Sequence, residues 1–180
     1  SSADPRARAR VGYLPEALAL PGHLTAPQLL DFTARLFGLG AAARAERVGR
    51  LVEAVGLGER RRTKVRAYSK GMRQRLGLAQ ALVNAPRLLI LDEPNEGLDP
   101  IARAEVKAQL LALKAEGVSV LISSHVLAEL QPLCDRVAIL HQGRLVAQGT
   151  VAELTRDRTL EQSFLELVRA AEAPPPEGAP

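Results

Sequence analysis

Two adjacent carboxylates follow a continuous apolar run near the middle of the chain. Residues 88–91 are Leu-Leu-Ile-Leu, and Asp92, Glu93 and Pro94 come directly after them. A buried carboxylate is costly unless it is paired or meets a cation, and ligands of α/β proteins usually bind at the carboxyl ends of parallel strands. The first acid can hold a metal-bound water, and the second can orient or deprotonate an attacking water. A strand that ends in two solvated acids is the alternative, and this string alone does not separate the two interpretations.

A histidine closes the next apolar run along the chain. Ser123, Ser124 and His125 follow the run 118–122. The carboxyl ends of neighbouring parallel strands lie at one edge of the sheet, so we expect His125 at the edge that carries the two acids. There it could hydrogen-bond a γ-phosphate and the attacking water. A lone histidine is more often structural or exposed, but this position makes it a better candidate.

A phosphate site is predicted where a helix begins after Tyr68. Ser69, Lys70 and Gly71 open this helix. The first turn of a helix offers unpaired N–H groups and the positive end of the dipole, which favour an anion. Ser69 adds a hydroxyl group and Gly71 permits close approach. An ordinary serine N-cap is the simpler interpretation of Ser69 taken alone.

Strands that alternate with helices must hold these residues in place. Apolar spacing and cap residues predict strands and helices along the whole chain. The predicted strands are 10–15, 88–91 and 118–122, with a hairpin of 136–141 and 144–148. The predicted helices are 27–37, 43–55, one after Ser69, 100–116 and one near Val126. The two apolar runs are expected to be strands buried on both faces, and the alternation predicts an α/β core with a mostly parallel sheet.

Composition limits the class of protein. The 180 residues, 47% of them hydrophobic, suffice for one domain with a core. No apolar run approaches the roughly 18 residues that span a bilayer, so we expect any membrane link to come through a partner. Cys134 is the only cysteine, which excludes an internal disulfide.

The net charge of +4 is concentrated in one stretch. Eight cations and no acid occur between residues 60 and 75: Arg60, Arg61, Arg62, Lys64, Arg66, Lys70, Arg73 and Arg75. Such a stretch is typical of a surface for nucleic acid or another polyanion, or of a solvated face beside a phosphate site. We favour the solvated face because no aromatic platform for bases lies nearby, and we expect no nucleic-acid partner.

In this order, the motifs resemble those of the ATP-binding subunits of ABC transporters. Tyr68–Met72 is similar to the signature motif, usually Leu-Ser-Gly-Gly-Gln. Leu88–Asp92 resembles the Walker B strand, and Glu93 stands at the position of the catalytic glutamate. The following residues 97–99 resemble the D-loop. The resemblance spans residues 10 to about 168.

Two more motifs complete the resemblance, and several positions depart from it. His125 is similar to the switch histidine, and residues 11–16 resemble the Q-loop, with Glu16 where most members have Gln. Lys70 and Met72 replace Gly and Gln of the signature, a form similar to exporter-type subunits. The sequence contains no Gly-x-x-x-x-Gly-Lys-Ser/Thr. Since the family places this P-loop before the Q-loop, we expect a carboxy-terminal fragment that is inactive alone.

The resemblance implies a P-loop NTPase-like α/β fold with a helical signature subdomain and its N-terminal part missing. It divides the chain into a Q-loop and signature subdomain at 10–85, a Walker B and switch-histidine core at 86–170, and a disordered tail at 171–180. The implied activity is ATP hydrolysis that energises a membrane permease.

The resemblance also implies cofactors, partners and residue roles. ATP and Mg²⁺ are the expected cofactors, and a transmembrane permease and a second copy of the subunit are the expected partners. The expected location is cytoplasmic, on the inner face of the cell membrane. The implied roles are catalysis by Glu93 and His125, magnesium binding by Asp92 and Glu16, and nucleotide binding by Ser69, Gly71, Asp99 and Glu16. The alternatives are a soluble ABC-type ATPase without a transport role, and a non-catalytic module that binds nucleic acid or protein through residues 60–75.

Overall fold

Residues 9–172 are described by the computed structural model, and they form two units. The first unit ends at Ser124 and the second begins at His125. All but the first two residues of the predicted tail lie outside the described residues. The predicted division after residue 85 does not coincide with this partition and stays a prediction.

A parallel sheet of three strands organises the first unit. The strands are β1 (Val11–Leu14), β2 (Leu88–Asp92) and β3 (Ser119–Ser123), in that spatial order. Leu14 pairs with Leu91, and Asp92 pairs with Ser123. This sheet confirms the predicted α/β class with parallel strands.

Helices fill both connections of this sheet. Between β1 and β2 lie α1 (Ala26–Leu36), α2 (Ala41–Ala54) and α3 (Lys70–Ala81), with short 3-10 turns at Gly58–Arg60 and Val65–Ala67. Between β2 and β3 lies α4 (Pro100–Ala115). The helices begin within two residues of the predicted starts, and side-chain caps define the starts of α1, α3 and α4. The Thr25 side chain caps α1 in a reciprocal capping box with Gln28.

The insert between β1 and β2 has its own apolar core. Residues spaced three and four apart on α1 are buried, as an amphipathic helix requires. They pack with buried residues of α2, of the loop after it and of α3. The buried core consists of Ala26, Leu29, Leu30, Ala34, Val48, Leu51, Val52, Val55, Leu57, Val65, Tyr68, Leu76, Ala79 and Val83.

The two faces of the sheet differ in exposure. Leu14, Leu89 and Leu91 are almost completely buried on one face. On the other face Tyr13 is 56% exposed and Leu121 is 60% exposed. The prediction that the run 118–122 is buried on both faces is therefore wrong for β3. The physical reason is that two right-handed crossovers in the same direction place their helices on one face of a sheet.

Residues 125–172 of the second unit form a hairpin and three helices. Its elements are α5 (Leu127–Leu130), β4 (Arg136–His141), β5 (Arg144–Thr150), α6 (Val151–Thr155) and α7 (Leu160–Glu172). The two strands are antiparallel around the predicted Gln142-Gly143 turn, and β5 runs two residues beyond its predicted end. Within residues 9–172, no helix combines the length and the apolar character needed to cross a membrane.

Candidate functional site

The two predicted acids lie at the carboxyl end of β2, where the neighbouring strand holds them. The Ser123 hydroxyl donates a hydrogen bond of 2.5 Å to Asp92 Oδ1. The Glu93 backbone N–H approaches both the Ser123 carbonyl oxygen, at 3.2 Å, and Ser123 Oγ, at 3.3 Å. Both acids are half-buried. The acid pair is therefore attached to the end of β3 as well as to its own strand.

Glu93 has an unusual backbone conformation. Its φ angle is +45°, in the left-handed region that side chains other than glycine rarely adopt. Such a conformation costs on the order of 1–3 kcal/mol and is often found at active sites. The strain identifies Glu93, among the described carboxylates, as a strong candidate for a functional acid.

Glu16 lies in the loop that follows β1, at the same edge of the sheet. It is exposed and lies two residues after the end of β1, the strand that pairs with β2. In residues 9–172, no group of three or more His, Cys, Asp or Glu side chains could hold a metal ion. Asp92 therefore fits a magnesium ion only as part of a ligand set, which suits Mg²⁺ because it is usually held by one or two carboxylates plus waters and phosphates.

The predicted phosphate site is the capped start of α3. Ser69 is the N-cap, and its Oγ accepts a hydrogen bond of 3.2 Å from the Met72 N–H. This bond uses a lone pair and leaves the hydroxyl hydrogen available to a bound anion. The N-cap and the phosphate interpretations of Ser69 are thus compatible.

Tyr68 anchors this turn from below. The residue is 3% exposed, and its hydroxyl donates to the Arg60 carbonyl oxygen at 3.0 Å. Burial raises the pKa of Tyr68, so the hydroxyl stays protonated as a donor. Arg73 Nη1 donates to the Tyr68 carbonyl oxygen at 2.8 Å. The position of Ser69 is therefore fixed on its N-terminal side by two hydrogen bonds of Tyr68.

The start of α3 packs against the loop that follows the acids. A Cβ added to Gly71 would lie 3.0 Å from Ala102 Cβ. The Lys70 side chain lies across Gly97, where an added Cβ would be 3.1 Å from Lys70 Cε and would collide with the ammonium group. The structure thus brings the signature-like and D-loop-like segments together within one chain.

Asp99 and His125 have different surroundings. Asp99 is the N-cap of α4, and its Oδ1 accepts from the Ala102 N–H at 2.8 Å. His125 is exposed and begins the second unit, two residues after β3. The nucleotide contact of Asp99 and the phosphate contact of His125 stay predictions.

The basic stretch divides into inward and outward cations. Arg75 Nη1 contacts the Val55 carbonyl oxygen and Glu105 Oε2, each at 3.2 Å. The outward set makes no ion pair with any described residue; it consists of Arg60, Arg61, Arg62, Lys64 and Arg66. Since Tyr68 is buried, no described aromatic side chain in the stretch offers a platform for bases.

The sequence did not predict one cleft in the first unit or the hydrogen bonds of Ser123. The cleft of about 450 Å³ lies between the loop after β1, α1 and α3. Its lining includes Leu18, Leu20, Phe37 and Gln80, and none of its lining residues is charged. The apolar loop residues were the available signal for it. For Ser123 there was none, because its bonds to Asp92 and Glu93 depend on strand register.

Comparisons with known proteins agree with these motifs. A family model described as ABC transporter matches residues 2–96. An uncharacterised ABC transporter ATP-binding protein of Nostoc sp. is 44% identical over 84% of this chain and 46% of its own length. The linearmycin resistance ATP-binding protein LnrL of Bacillus subtilis is 36% identical over 83% of this chain and 48% of its own length.

A solved structure described as the ATP-binding subunit of an ABC transporter has a TM-score of 0.79 to this chain at 33% identity. The matched region covers 89% of this chain and 69% of the solved chain. This likeness confirms the predicted fold of the P-loop NTPase type. The chain spans less than half the length of the two curated relatives. Because the family model matches more than half of the sequence, the chain belongs to the ABC transporter family, among its ATP-binding subunits.

Proposed function

We propose that this chain supplies the acid pair and the signature turn of a subunit that hydrolyses ATP to energise a membrane permease. The observation that carries the proposal is the strained Glu93, held beside Asp92 at the sheet edge by Ser123. In the proposed reaction, water attacks the γ-phosphate in line, and catalysis consists mostly of positioning and charge neutralisation.

Each residue has a separate task in this proposal. Glu93 orients and deprotonates the attacking water, and His125 contacts the γ-phosphate. Ser69 and Gly71 bind the ATP held by a second copy of the subunit, because a helix N-terminus with a spare hydroxyl hydrogen suits a phosphate. Asp99 caps α4 and follows Leu98, whose side chain lies near Gly71.

Magnesium completes the proposed site. Asp92 and Glu16 provide carboxylate oxygens, the ligands that Mg²⁺ prefers. When bound, the ion neutralises charge on the phosphates. Asp92 Oδ1 already accepts the Ser123 hydroxyl, which leaves the other oxygen for the ion or its water.

The uncharged cleft supports a permease partner. Its apolar lining includes residues of the loop after β1 and Phe37, which directly follows α1 and remains 43% exposed. Exposed apolar patches mark interaction sites, and a helix presenting apolar residues fits such a groove. The occupant is a cytoplasmic helix of the permease, which places the subunit at the inner face of the cell membrane. A soluble ATPase without a transport role leaves this cleft without an occupant.

The test is the substitution Glu93→Gln in a subunit that joins this chain to a P-loop segment. We expect ATP turnover to fall by about 10²-fold or more, because a general base contributes about that much. ATP affinity should stay unchanged, since only the base is lost. Turnover is measured by phosphate release and affinity by calorimetric titration.

The matched control is Glu96→Gln, the same change at an exposed position of the same loop. It should leave turnover unchanged. Normal turnover in Glu93→Gln, or an equal loss in both variants, would contradict the role of Glu93.

A further inference from the structure

We propose that Ser123 is a positioning residue for the acid pair: its hydroxyl holds the Asp92 carboxylate and the Glu93 backbone in one arrangement. This inference rests on the proposed function, because it assigns a purpose to the geometry of those two acids. The juxtaposition is created by the register of β2 and β3, which pairs Asp92 with Ser123.

The Ser123 hydroxyl donates one hydrogen bond and accepts another. A serine hydroxyl has one hydrogen to donate and two lone pairs to accept. The hydrogen goes to Asp92 Oδ1 over 2.5 Å, a length typical of a strong hydrogen bond to a charged acceptor. A lone pair accepts the Glu93 N–H at 3.3 Å. One hydroxyl group therefore bridges the side chain of the first acid and the backbone of the second.

The bridge stabilises an arrangement that the backbone alone disfavours. Glu93 has a φ angle of +45°, and residues in that region persist only when their surroundings hold them. The Ser123 carbonyl oxygen also accepts from the Glu93 N–H, at 3.2 Å. Removal of the hydroxyl takes away one of these two bonds to the Glu93 N–H, and it leaves the Asp92 carboxylate without its donor.

The bridge also selects how Asp92 faces a metal ion. With Oδ1 accepting the hydroxyl hydrogen, rotation of the carboxylate is restricted and one oxygen remains for an ion or its water. Hydrogen-bonding partners of metal-binding carboxylates commonly orient them in this way. The role of Ser123 is thus exerted through Asp92 and Glu93.

The experiment uses the 180-residue chain with the variants Ser123→Ala, Ser123→Thr and Ser119→Ala. Ser119 lies on the same strand, four residues earlier, and its hydroxyl makes no hydrogen bond to any part of the chain that the structure describes, so it is the matched control. Amide hydrogen exchange at Glu93 is measured by NMR. We expect exchange to be about fivefold faster in Ser123→Ala, as loss of one hydrogen bond implies, and close to wild type in Ser123→Thr and Ser119→Ala.

Equal exchange at Glu93 in Ser123→Ala and Ser119→Ala would overturn the positioning role. The exchange rates do not depend on ATP turnover. This outcome is therefore distinct from normal turnover in Glu93→Gln, which would contradict the proposed function.

Discussion

At the scale of single residues, the loop after β2 contains two left-handed positions, Glu93 and Gly97. The positive φ angle has a different physical basis at each of them. Glycine adopts a positive φ angle without steric cost, whereas glutamate at such an angle is strained. At Gly97 the absence of a side chain also makes room for Lys70, which lies across it. The loop therefore combines a strained acid with a contact that couples it to the start of α3.

Gly97→Ala and Gly117→Ala should be destabilising by similar amounts. Both glycines have positive φ angles, +62° and +83°, which alanine adopts only with strain. A Cβ added at Gly97 would meet only the far end of the flexible Lys70 side chain, which can move away. We expect a loss in the free energy of unfolding of about 1 kcal/mol for each substitution. Urea unfolding at neutral pH measures both.

The Lys70→Ala background tests whether the lysine side chain yields. A larger loss at Gly97 than at Gly117 that disappears in this background would contradict the prediction, because it would show that the lysine is held rigidly across the loop.

At the scale of elements, an acid joins α1 to α2. Asp31 Oδ1 accepts from Arg44 Nε at 2.8 Å, and Oδ2 accepts from Arg35 Nε at 2.7 Å. The hydrogen bond from Arg44 is the main cause that lowers the pKa of Asp31 below its ordinary value of 3.8. Since Arg44 comes from the next helix, this carboxylate fixes the packing of α1 against α2.

The free energy of unfolding of the first unit should therefore decrease at low pH, as Asp31 becomes protonated. A pKa that is lower in the folded state gives stability that is present above the unfolded pKa and is lost as the pH falls through the folded pKa. Asp31→Asn should remove this part of the acid dependence, whereas Glu46→Gln, at an exposed pair with Arg50, should not. Unfolding curves at a series of pH values below 5 (about one unit above the ordinary pKa) make the comparison. Identical acid dependence in wild type and Asp31→Asn would contradict the assignment.

The elements were largely predictable because their signals are local. Thr25, Ser69 and Asp99 are N-caps in the structure, and each could be recognised from the residues that follow it. Glu93 could be selected as a candidate functional acid from its position after an apolar strand. The bridge by Ser123 could not be predicted. Ser123 and Asp92 are 31 residues apart in the sequence, and only the strand register brings them together. The exposure of Leu121 was unpredictable for a related reason: an apolar run does not reveal which faces are covered.

At the scale of the whole molecule, the exposed face of the parallel sheet should promote self-association of the 180-residue polypeptide. Tyr13 and Leu121 are each more than half exposed there, and exposed apolar patches tend to associate. We expect dimers or larger species by light scattering at high protein concentration. Leu121→Lys should reduce association, because it places a charge on this face. Leu36→Lys, at a 72% exposed position of α1, is the control for the same change elsewhere. A monomer at high concentration, or equal effects of the two substitutions, would contradict the prediction.

The polypeptide of these 180 residues should not hydrolyse ATP by itself. In P-loop ATPases, loop N–H groups and a lysine hold the triphosphate, and the loop Ser or Thr also binds Mg²⁺; the corresponding motif does not occur in this sequence. The cap of α3 offers one hydroxyl and a helix terminus, which suits a nucleotide already bound elsewhere. The exposed arginines near it would attract ATP only loosely, and salt would screen that attraction.

A phosphate-release assay and a calorimetric titration with Mg-ATP at physiological salt provide the test. Specific micromolar binding, or turnover that disappears in Glu93→Gln, would show that the acid pair and the signature turn hold the nucleotide without a P-loop.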